Sequence, residues 1–223
     1  VSATVSGSYH TTPHSPGHID LTARVPRAEG AAVWRYMPVT APMTAKWLKR
    51  GIVGAQGSDG KVRLKGDLRD FPFEDPKTGV FEVSARVGNG VLDYADGWPR
   101  ITGIQGEYLM SGRRLQVRAS RAAMLGVQLQ KVTATIPDLF NDHQHRLQVD
   151  GTAEGPSAEF LRVVAASPVR ELTGHALDGW TASGSGRLTL AFDMPFDHVD
   201  QTKLNGAYQV TGNAIVPGVA EMA

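Results

Sequence analysis

The sequence predicts a mainly β fold, in which a long, strongly curved antiparallel sheet carries short helices at the joints between its modules. Two observations predict it. Many segments alternate apolar and polar residues, which is the period of a half-buried strand. Short turn signals such as Asp96-Gly97 and Ser111-Gly112 separate these segments. Strands linked by short turns form an antiparallel meander.

The clearest strand runs from Val62 to Leu68, with apolar residues at even positions and basic residues between them. A near copy lies far downstream between Gly184 and Phe196. There Leu188 and Leu190 again alternate with polar residues. The chain therefore contains an internal repeat.

The N-terminal part adds weaker signals. Ala3 to Tyr9 alternate weakly, Thr11 to Gly17 are rich in Pro, Ser and Thr and predict a loop, and Ile19 to Val25 form a strand. Short helices are predicted from Ala31 to Met37 and from Pro42 to Gly51, where proline and glycine mark the boundaries.

The rest of the chain predicts strands and one further helix, from Ser157 to Ala166. Gly88-Asn89-Gly90 is typical of a hairpin turn. Between Val127 and Ile136 the apolar positions shift by one, which predicts a β-bulge near Gln130 or Lys131. The strands are Val80–Val87, Val91–Ala95, Ile101–Met110, Arg114–Ser120, Gly126–Ile136, Arg146–Ala153, Trp180–Met194 and Lys203–Val216.

The repeat divides the chain into two modules. Ala28-Glu29-Gly30 recurs as Ala153-Glu154-Gly155, and Pro72-Phe73 recurs as Pro195-Phe196, at nearly one offset. We place a first module at about 18–142 and an incomplete second module at about 143–223. Stacked repeats expose an edge where the array is interrupted, so we expect an open sheet edge that continues into further repeats of a longer chain.

Composition excludes several classes of protein. The 223 residues include 23 basic and 22 acidic ones, a net charge of +1, which is not the footprint of a nucleic-acid-binding protein. Cysteine is absent, so disulfides, thiolate metal sites and a cysteine nucleophile are excluded. The longest apolar runs fall far short of the ~20 residues that span a bilayer.

Candidate metal sites are weak. His10, His14 and His18 have helical spacing, but intervening prolines argue against a helix, so we expect an exposed loop. The Asp142-His143-Gln144-His145 segment lies between two strands and predicts a plain turn. No metal site is predicted.

Candidate catalytic groups are equally weak. Ser183-Gly184-Ser185-Gly186 lacks the Gly-x-Ser-x-Gly elbow of a serine hydrolase. The acidic residues between Asp67 and Asp75 lie beside prolines and predict a solvated turn rather than a glycosidase pair. Gly88-Asn89-Gly90 lacks the rest of a dinucleotide fingerprint. We therefore expect a protein that is not an enzyme and has no cofactor.

A set of short motifs, each degenerate but in a specific order, resembles the YhdP family of AsmA-like, TamB-related bacterial envelope proteins. The likeness covers about Trp34 to Phe196. Its motifs are Trp47-Leu48, Gly66-Asp-Leu-Arg-Asp-Phe-Pro-Phe73, Gly79-Val-Phe-Glu-Val83, Leu92-Asp-Tyr-Ala-Asp-Gly-Trp-Pro99, Gly112-Arg-Arg-Leu115, Thr135-Ile-Pro-Asp-Leu139, and Gly151 through Phe160-Leu161 to Ser167-Pro168.

The resemblance implies a very long periplasmic protein that is anchored in the inner membrane by a helix outside this fragment. Its β-repeats would form a half-open groove that carries phospholipid towards the outer membrane, with acyl chains and further repeats of the same chain as partners. An alternative is a closed structural or docking scaffold that helps outer-membrane protein assembly. A weaker one is a carbohydrate-active β-protein.

The alternating apolar residues are the candidate lining of the groove, although the same pattern would also serve an ordinary dry core. Trp34, Trp47, Trp98 and Trp180 could line a ligand path, but their positions beside helices and turns favour packing of helix against sheet. The predicted lining residues are Val62, Leu64, Leu68, Phe81, Val83, Val87, Leu115, Val117, Val127, Leu129, Leu147, Val149, Leu188, Leu190, Phe192, Tyr208 and Val210.

Overall fold

An open antiparallel sheet of ten strands forms most of the molecule, as predicted. The structure, a computed structural model, describes residues 2–37, 42–141 and 145–218. Its twelve strands are β1 (Ser2–Thr12), β2 (Ser15–Glu29), β3 (Ile52–Asp67), β4 (Gly79–Leu92), β5 (Ile101–Ser111), β6 (Arg114–Met124), β7 (Val127–Ile136), β8 (Arg146–Pro156), β9 (Thr181–Ala182), β10 (Ser185–Pro195), β11 (Lys203–Thr211) and β12 (Ile215–Val216).

The ten long strands follow one another across the sheet in chain order, and only the short β9 interrupts the sequence. β1 and β11 are the two edges and do not pair with each other, so the sheet is not closed into a barrel. β9 and β12 form a separate two-stranded ribbon. The predicted meander is confirmed.

Short helices connect the strands. They are α1 (Pro42–Gly51), α2 (Ser157–Ala165) and α3 (Val169–Leu172), with 3-10 turns at Gly30–Tyr36, Leu68–Asp70 and Val199–Gln201. The three predicted helices are confirmed as the first 3-10 turn, α1 and α2. The short α3 is additional. All three α-helices lie in the β2–β3 and β8–β10 connections, which we call the helical end of the strands. The β3–β4, β5–β6, β7–β8 and β10–β11 connections form the opposite, loop end.

Two predicted turns are wrong. Gly88-Asn89-Gly90 lies inside the continuous strand β4, where Asn89 has a φ of 51° and the register with β5 shifts. Asn and Gly both adopt a left-handed conformation easily, which suits a bulge as well as a hairpin. The loop predicted from Thr11 to Gly17 is reduced to a tight turn between β1 and β2. His10 and His18 are therefore cross-strand partners whose rings stack 5.3 Å apart.

Four predicted strands are shortened or divided because the chain turns. Residues 93–95, expected to continue a strand, are irregular. The segment from Trp180 to Met194 is divided at Gly184, with a φ of 78°, into β9 and β10. The segment from Lys203 to Val216 is divided at Gly212, with a φ of 61°, into β11 and β12. Leu68 begins a 3-10 turn instead of ending a strand, since Asp67 caps that turn by accepting from the Arg69 amide.

A line of bulges crosses the middle strands. Lys131 has a φ of 51° and the β7–β8 register shifts beside it, which confirms the predicted bulge. Two side-chain bonds link bulges on neighbouring strands: Gln105 Nε2 donates to Asn89 Oδ1 at 3.1 Å, and Ser120 Oγ donates to the Gln105 carbonyl at 3.1 Å. Because bulges bend and twist strands, their alignment curves the sheet along one line.

The two halves of the repeat lie in comparable positions. In the first half, β2 is followed by helices, β3, a loop that contains Pro-Phe, and β4. In the second half, β8 is followed by helices, β10, which ends at the proline of Pro-Phe, a loop, and β11. The same sheet runs through both segments. The predicted module boundary at residue 142 lies outside the described residues.

Candidate functional site: the apolar face of the sheet

The strand register gathers apolar side chains onto one face. Directly opposed residues in antiparallel strands point to the same side. Val62 on β3 faces Ala23 on β2 and Val83 on β4, and Val83 in turn faces Met110 on β5. Met110 faces Leu115 on β6. The same face therefore continues from strand to strand.

The C-terminal strands extend this face. Phe192 on β10 lies between Val149 on β8 and Leu204 on β11. Val149 faces Ala134 on β7, which faces Val117 on β6. We call this side the apolar face; beyond the predicted lining it includes Val5, Tyr9, Ile19, Leu21, Ala23, Val25, Ile104, Tyr108, Met110, Ala119, Ala122, Met124, Val132, Ala134, Ile136, Ala153, Met194 and Leu204.

Of the predicted lining residues, all except Leu68 lie in strands on the apolar face. Their contact with lipid stays a prediction. Some of the face members missed by sequence analysis flank the bulges, among them Ile104, Ala119, Ala122 and Val132. Along β6 the apolar residues occupy odd positions before Ser120 and even positions after it, and β7 shows a similar shift at Lys131. Simple alternation from Leu115 therefore does not predict that Ala122 lies on the same face. Bulge geometry depends on the neighbouring strand, and the local sequence gives only a parity slip as its signal.

The opposite face of the sheet is charged and hydrated. Arg146 Nε lies 2.9 Å from Asp193 Oδ1 across β8 and β10, and Arg86 Nη1 lies 3.1 Å from Asp59 Oδ2. The Arg146 guanidinium lowers the pKa of the Asp193 carboxyl below its usual value. These pairs are solvent-exposed, so each contributes little stability. The charged side chains favour contact of this face with water, and we call it the polar face.

The apolar face has no second layer that would turn it into a dry core. Among the described residues, the buried apolar side chains are few and mostly small: Ala23, Phe73, Ala119, Ala122 and Val127. No large side chain in the described part is less than 2% exposed. The accessible surface is 14317 Å², whereas a compact protein of this mass has about 9,900 Å².

Both sheet edges are exposed as well. On β1, Val5 is 59% exposed, and on β11, Leu204 and Val210 are 64% and 52% exposed. Within the described ranges no strand pairs with the outer side of either edge. Neither strand contains proline, and β1 carries no Lys, Arg, Asp or Glu, so β1 lacks the usual protection against pairing, whereas β11 carries Lys203.

Aromatic side chains pack against one another at the loop end. The Phe71 ring lies 5.0 Å from Phe81 and 5.6 Å from Phe140, and Phe73 is buried beneath it. Arg113 sits over Phe140 and pairs with Asp138 at 2.9 Å. This cluster ties three loops together at one rim of the apolar face.

Tryptophans occupy the helical end, beside helices and turns as expected. Trp47 Nε1 on α1 donates to the Tyr94 carbonyl at 3.2 Å, and Tyr94 packs 6.0 Å from Trp98. Burial raises the pKa of the Tyr94 hydroxyl to about 12. Trp34 lies in the first 3-10 turn, and Trp180 precedes β9.

The other candidate sites remain dispersed. In residues 2–37, 42–141 and 145–218, no three His, Asp or Glu side chains are placed to share a metal ion. His14 lies in the β1–β2 turn, and Asp142, His143 and Gln144 lie outside the described residues. His145 Nε2 approaches the Leu139 carbonyl at 3.1 Å. Asp67 accepts from Arg69 and Ser15, and its pKa is lowered accordingly.

Two open depressions lie along strands β2 to β7. They measure about 700 and 730 Å³, and their lining combines charged residues such as Arg86, Glu107 and Arg118 with members of the apolar face, namely Val87, Tyr108, Ala119 and Val132. The charged residues form cross-strand rows of opposite charge, typical of a solvated surface. The apolar face is therefore an extended surface rather than an enclosed pocket.

The fold and this face define an open-faced β-sheet protein that presents a continuous apolar surface across ten strands. The chain belongs to the YhdP protein family, whose family model matches residues 2–219. No curated protein and no solved structure matches it. Family membership indicates an envelope protein and suggests a general role in lipid transport. No helix in the described residues is long and apolar enough to cross a membrane.

Proposed function

We propose that the chain is a segment of a passive conduit that carries phospholipid across the periplasm between the inner and outer membranes. Acyl chains lie against the apolar face, and the polar face stays in water. The segment needs no cofactor and catalyses no reaction. Further repeats of the same chain extend the sheet, and an inner-membrane anchor lies outside this fragment.

The observation that carries this proposal is the uncovered apolar face. A sheet with one apolar face must cover that face with another layer, by curling, or with a ligand. The described helices pack at the strand ends and leave the middle of the face without a layer. Exposing an acyl chain to water costs about 0.8 kcal/mol per CH₂ group, so such a face and such a chain gain from contact with each other.

The dimensions also support the proposal. A strand of 11 residues such as β5 spans about 37 Å at ~3.4 Å per residue. The hydrocarbon of one leaflet is about 15 Å thick. Neighbouring strands are ~4.8 Å apart, so the ten-stranded sheet is about 43 Å wide. An acyl chain fits across the face, and several fit side by side.

The scaffold alternative requires a filled, dry core. Five buried apolar residues in the described part, four of them alanine or valine, do not form one. The open edges at β1 and β11 do suit docking, but pairing through them continues the sheet and leaves the apolar face uncovered. Burial therefore favours the conduit.

The test is native mass spectrometry with lipid extraction on the chain purified from bacterial cells without detergent. We expect phospholipid to co-purify at near-stoichiometric amounts. A lipid-free chain that remains compact and stable, and that takes up no lipid from vesicles, would contradict the proposal and favour the scaffold.

A further inference from the structure

The segment between β2 and the start of β3 is uniformly basic. Residues 30–37 and 42–53 contain Arg35, Lys46, Lys49 and Arg50 and no acidic residue. The segment includes the first 3-10 turn and α1, which pack on each other and on β3 at the helical end. We call it the basic rim.

Most of these charges have no acidic partner. Arg50 Nη1 lies 2.9 Å from Asp96. Among the described residues, no carboxylate lies within salt-bridge distance of Arg35, Lys46 or Lys49. Lys49 and Arg50 complement the C-terminal dipole of α1, but this accounts for neither Arg35 nor Lys46.

Two of the cations share one aromatic ring. Lys49 Nζ lies 4.9 Å from the centre of the Trp34 ring, and Arg35 Cζ lies 5.5 Å from it. The ring attracts each cation and gathers two positive charges at one place on the rim, where both would attract an anion.

The basic rim also exposes apolar side chains. Tyr36, Met43 and Trp47 are 65%, 76% and 42% exposed. Exposed aromatic and apolar groups beside Lys and Arg form the kind of surface that lies at the boundary of lipid headgroups and acyl chains. The rim adjoins the first residues of β3, because Gly30 packs against Ala55.

The β3–β4 connection at the loop end has the opposite charge. Residues 67–78 contain Asp67, Asp70, Glu74 and Asp75 against Arg69 and Lys77. Strand β3 therefore runs between a basic segment at the helical end and an acidic segment at the loop end. This difference in charge would draw the phosphate of a bound lipid towards the basic rim.

We propose that the basic rim binds the phosphate of a phospholipid whose acyl chains lie on the apolar face. The headgroup then always lies at the helical end of the strands. This inference rests on the proposed conduit function and assigns the rim a preference for anionic phospholipid. The two claims separate when a phospholipid is compared with a lipid that has the same chains and no phosphate.

The experiment loads the purified chain from vesicles that contain either dioleoyl phosphatidylglycerol or dioleoylglycerol in a phosphatidylcholine background. Protein is separated from the vesicles, and bound lipid is counted by native mass spectrometry, so adsorption to a vesicle surface does not register. The rim variant is R35Q/K46Q/K49Q. The matched control K61Q/R118Q/R121Q removes three charges from the polar face.

We expect the native chain to prefer phosphatidylglycerol over dioleoylglycerol by about tenfold, since each basic residue near an anionic lipid contributes appreciably. The rim variant should lose this preference while binding dioleoylglycerol as before, and the control should keep it. Equal binding of the two lipids by the native chain would overturn the inference, and so would equal loss in both variants. Competition by micromolar glycerol 3-phosphate would assign the rim to a free phosphate instead. Failure to bind any lipid, the background phosphatidylcholine included, would contradict the conduit itself.

Discussion

Leu190 on β10 faces glycine on both neighbouring strands, Gly151 on β8 and Gly206 on β11. Its side chain thus stands on the apolar face without an opposing side chain on either strand. A Cβ atom at Gly206 would lie 3.4 Å from Leu190 Cδ1, an ordinary contact distance. The leucine is half-buried and has no side chain directly opposite it on either neighbouring strand.

Leu190→Asp should leave the chain folded but abolish lipid binding. A carboxylate on a dry core would cost several kcal/mol, whereas on a face open to water it stays hydrated. The control is Thr189→Asp, on the exposed polar face of the same strand. Thermal melts and lipid counts by native mass spectrometry separate the two effects. A Leu190→Asp chain that is unfolded would support a dry core.

Gly106→Ala should destabilise the sheet by roughly 1–3 kcal/mol, the usual range for overpacking. A Cβ atom there would collide with the Arg118 carbonyl and lie 2.9 Å from Ala119 Cα on the neighbouring strand. Gly54 has no atom within 4 Å of the same position, so Gly54→Ala should be neutral or slightly stabilising. Urea unfolding of both variants tests this difference. Equal midpoints would show that the strands at Gly106 are not in close contact.

Phe73→Ala should lower stability by about 3–4 kcal/mol, because Phe73 is the one large buried apolar residue in the described part. Its ring fills the space over the paired glycines Gly66 and Gly79. Phe71 is 39% exposed, so Phe71→Ala should cost only about 1 kcal/mol. Chemical denaturation measures both values. A smaller loss for Phe73 than for Phe71 would reverse the assigned roles at the loop end.

The loop after α3 should loosen as pH rises above about 6.5 and through the raised pKa of His175. His175 Nδ1 lies 3.0 Å from Asp178 and Nε2 lies 2.9 Å from Glu171, and Asp178 above all raises the pKa of the imidazole above 6.5; Arg170, which also pairs with Asp178, opposes this. Because the folded loop raises this pKa, the protonated imidazole stabilises the loop fully below about pH 6.5. This contribution is lost as pH rises through the folded value.

An NMR titration of His175 and hydrogen exchange of the 170–178 amides measure this effect. Asp178→Asn should lower the imidazole pKa, and His175→Gln should remove the pH dependence of exchange in the neutral range. A native imidazole that titrates at or below 6.5 would show that the two carboxylates do not hold it.

Local sequence specified much of the fold because its signals are short-range. The alternation from Val62 to Leu68 and from Leu188 to Met194 requires only that successive side chains point to opposite sides of a strand. Proline and glycine at the boundaries of α1 act through their own backbone preferences. The parity slip at Lys131 is likewise visible in one strand alone.

Other features depended on the neighbouring strand. Asn89 and Gly90 form a bulge rather than a hairpin because β4 continues to pair with β3 and β5 on both sides of them. His10 and His18 meet because the β1–β2 turn is shorter than the polar composition of residues 11–17 implies. The loop residue Phe73 is buried because Gly66 on β3 and Gly79 on β4 pair beneath its ring.

The sequence by itself determined that this protein forms half-buried antiparallel strands with helices between modules, because backbone geometry converts alternation into two chemically different faces. Only the tertiary structure decided that ten strands place their apolar residues on one shared face, that no layer in the described residues covers it, and that the basic rim lies at one end of it. Register and bulges depend on which strands pair with one another, and a covering layer depends on which elements pack on the sheet. They are fixed by hydrogen bonds and packing between segments far apart in the chain.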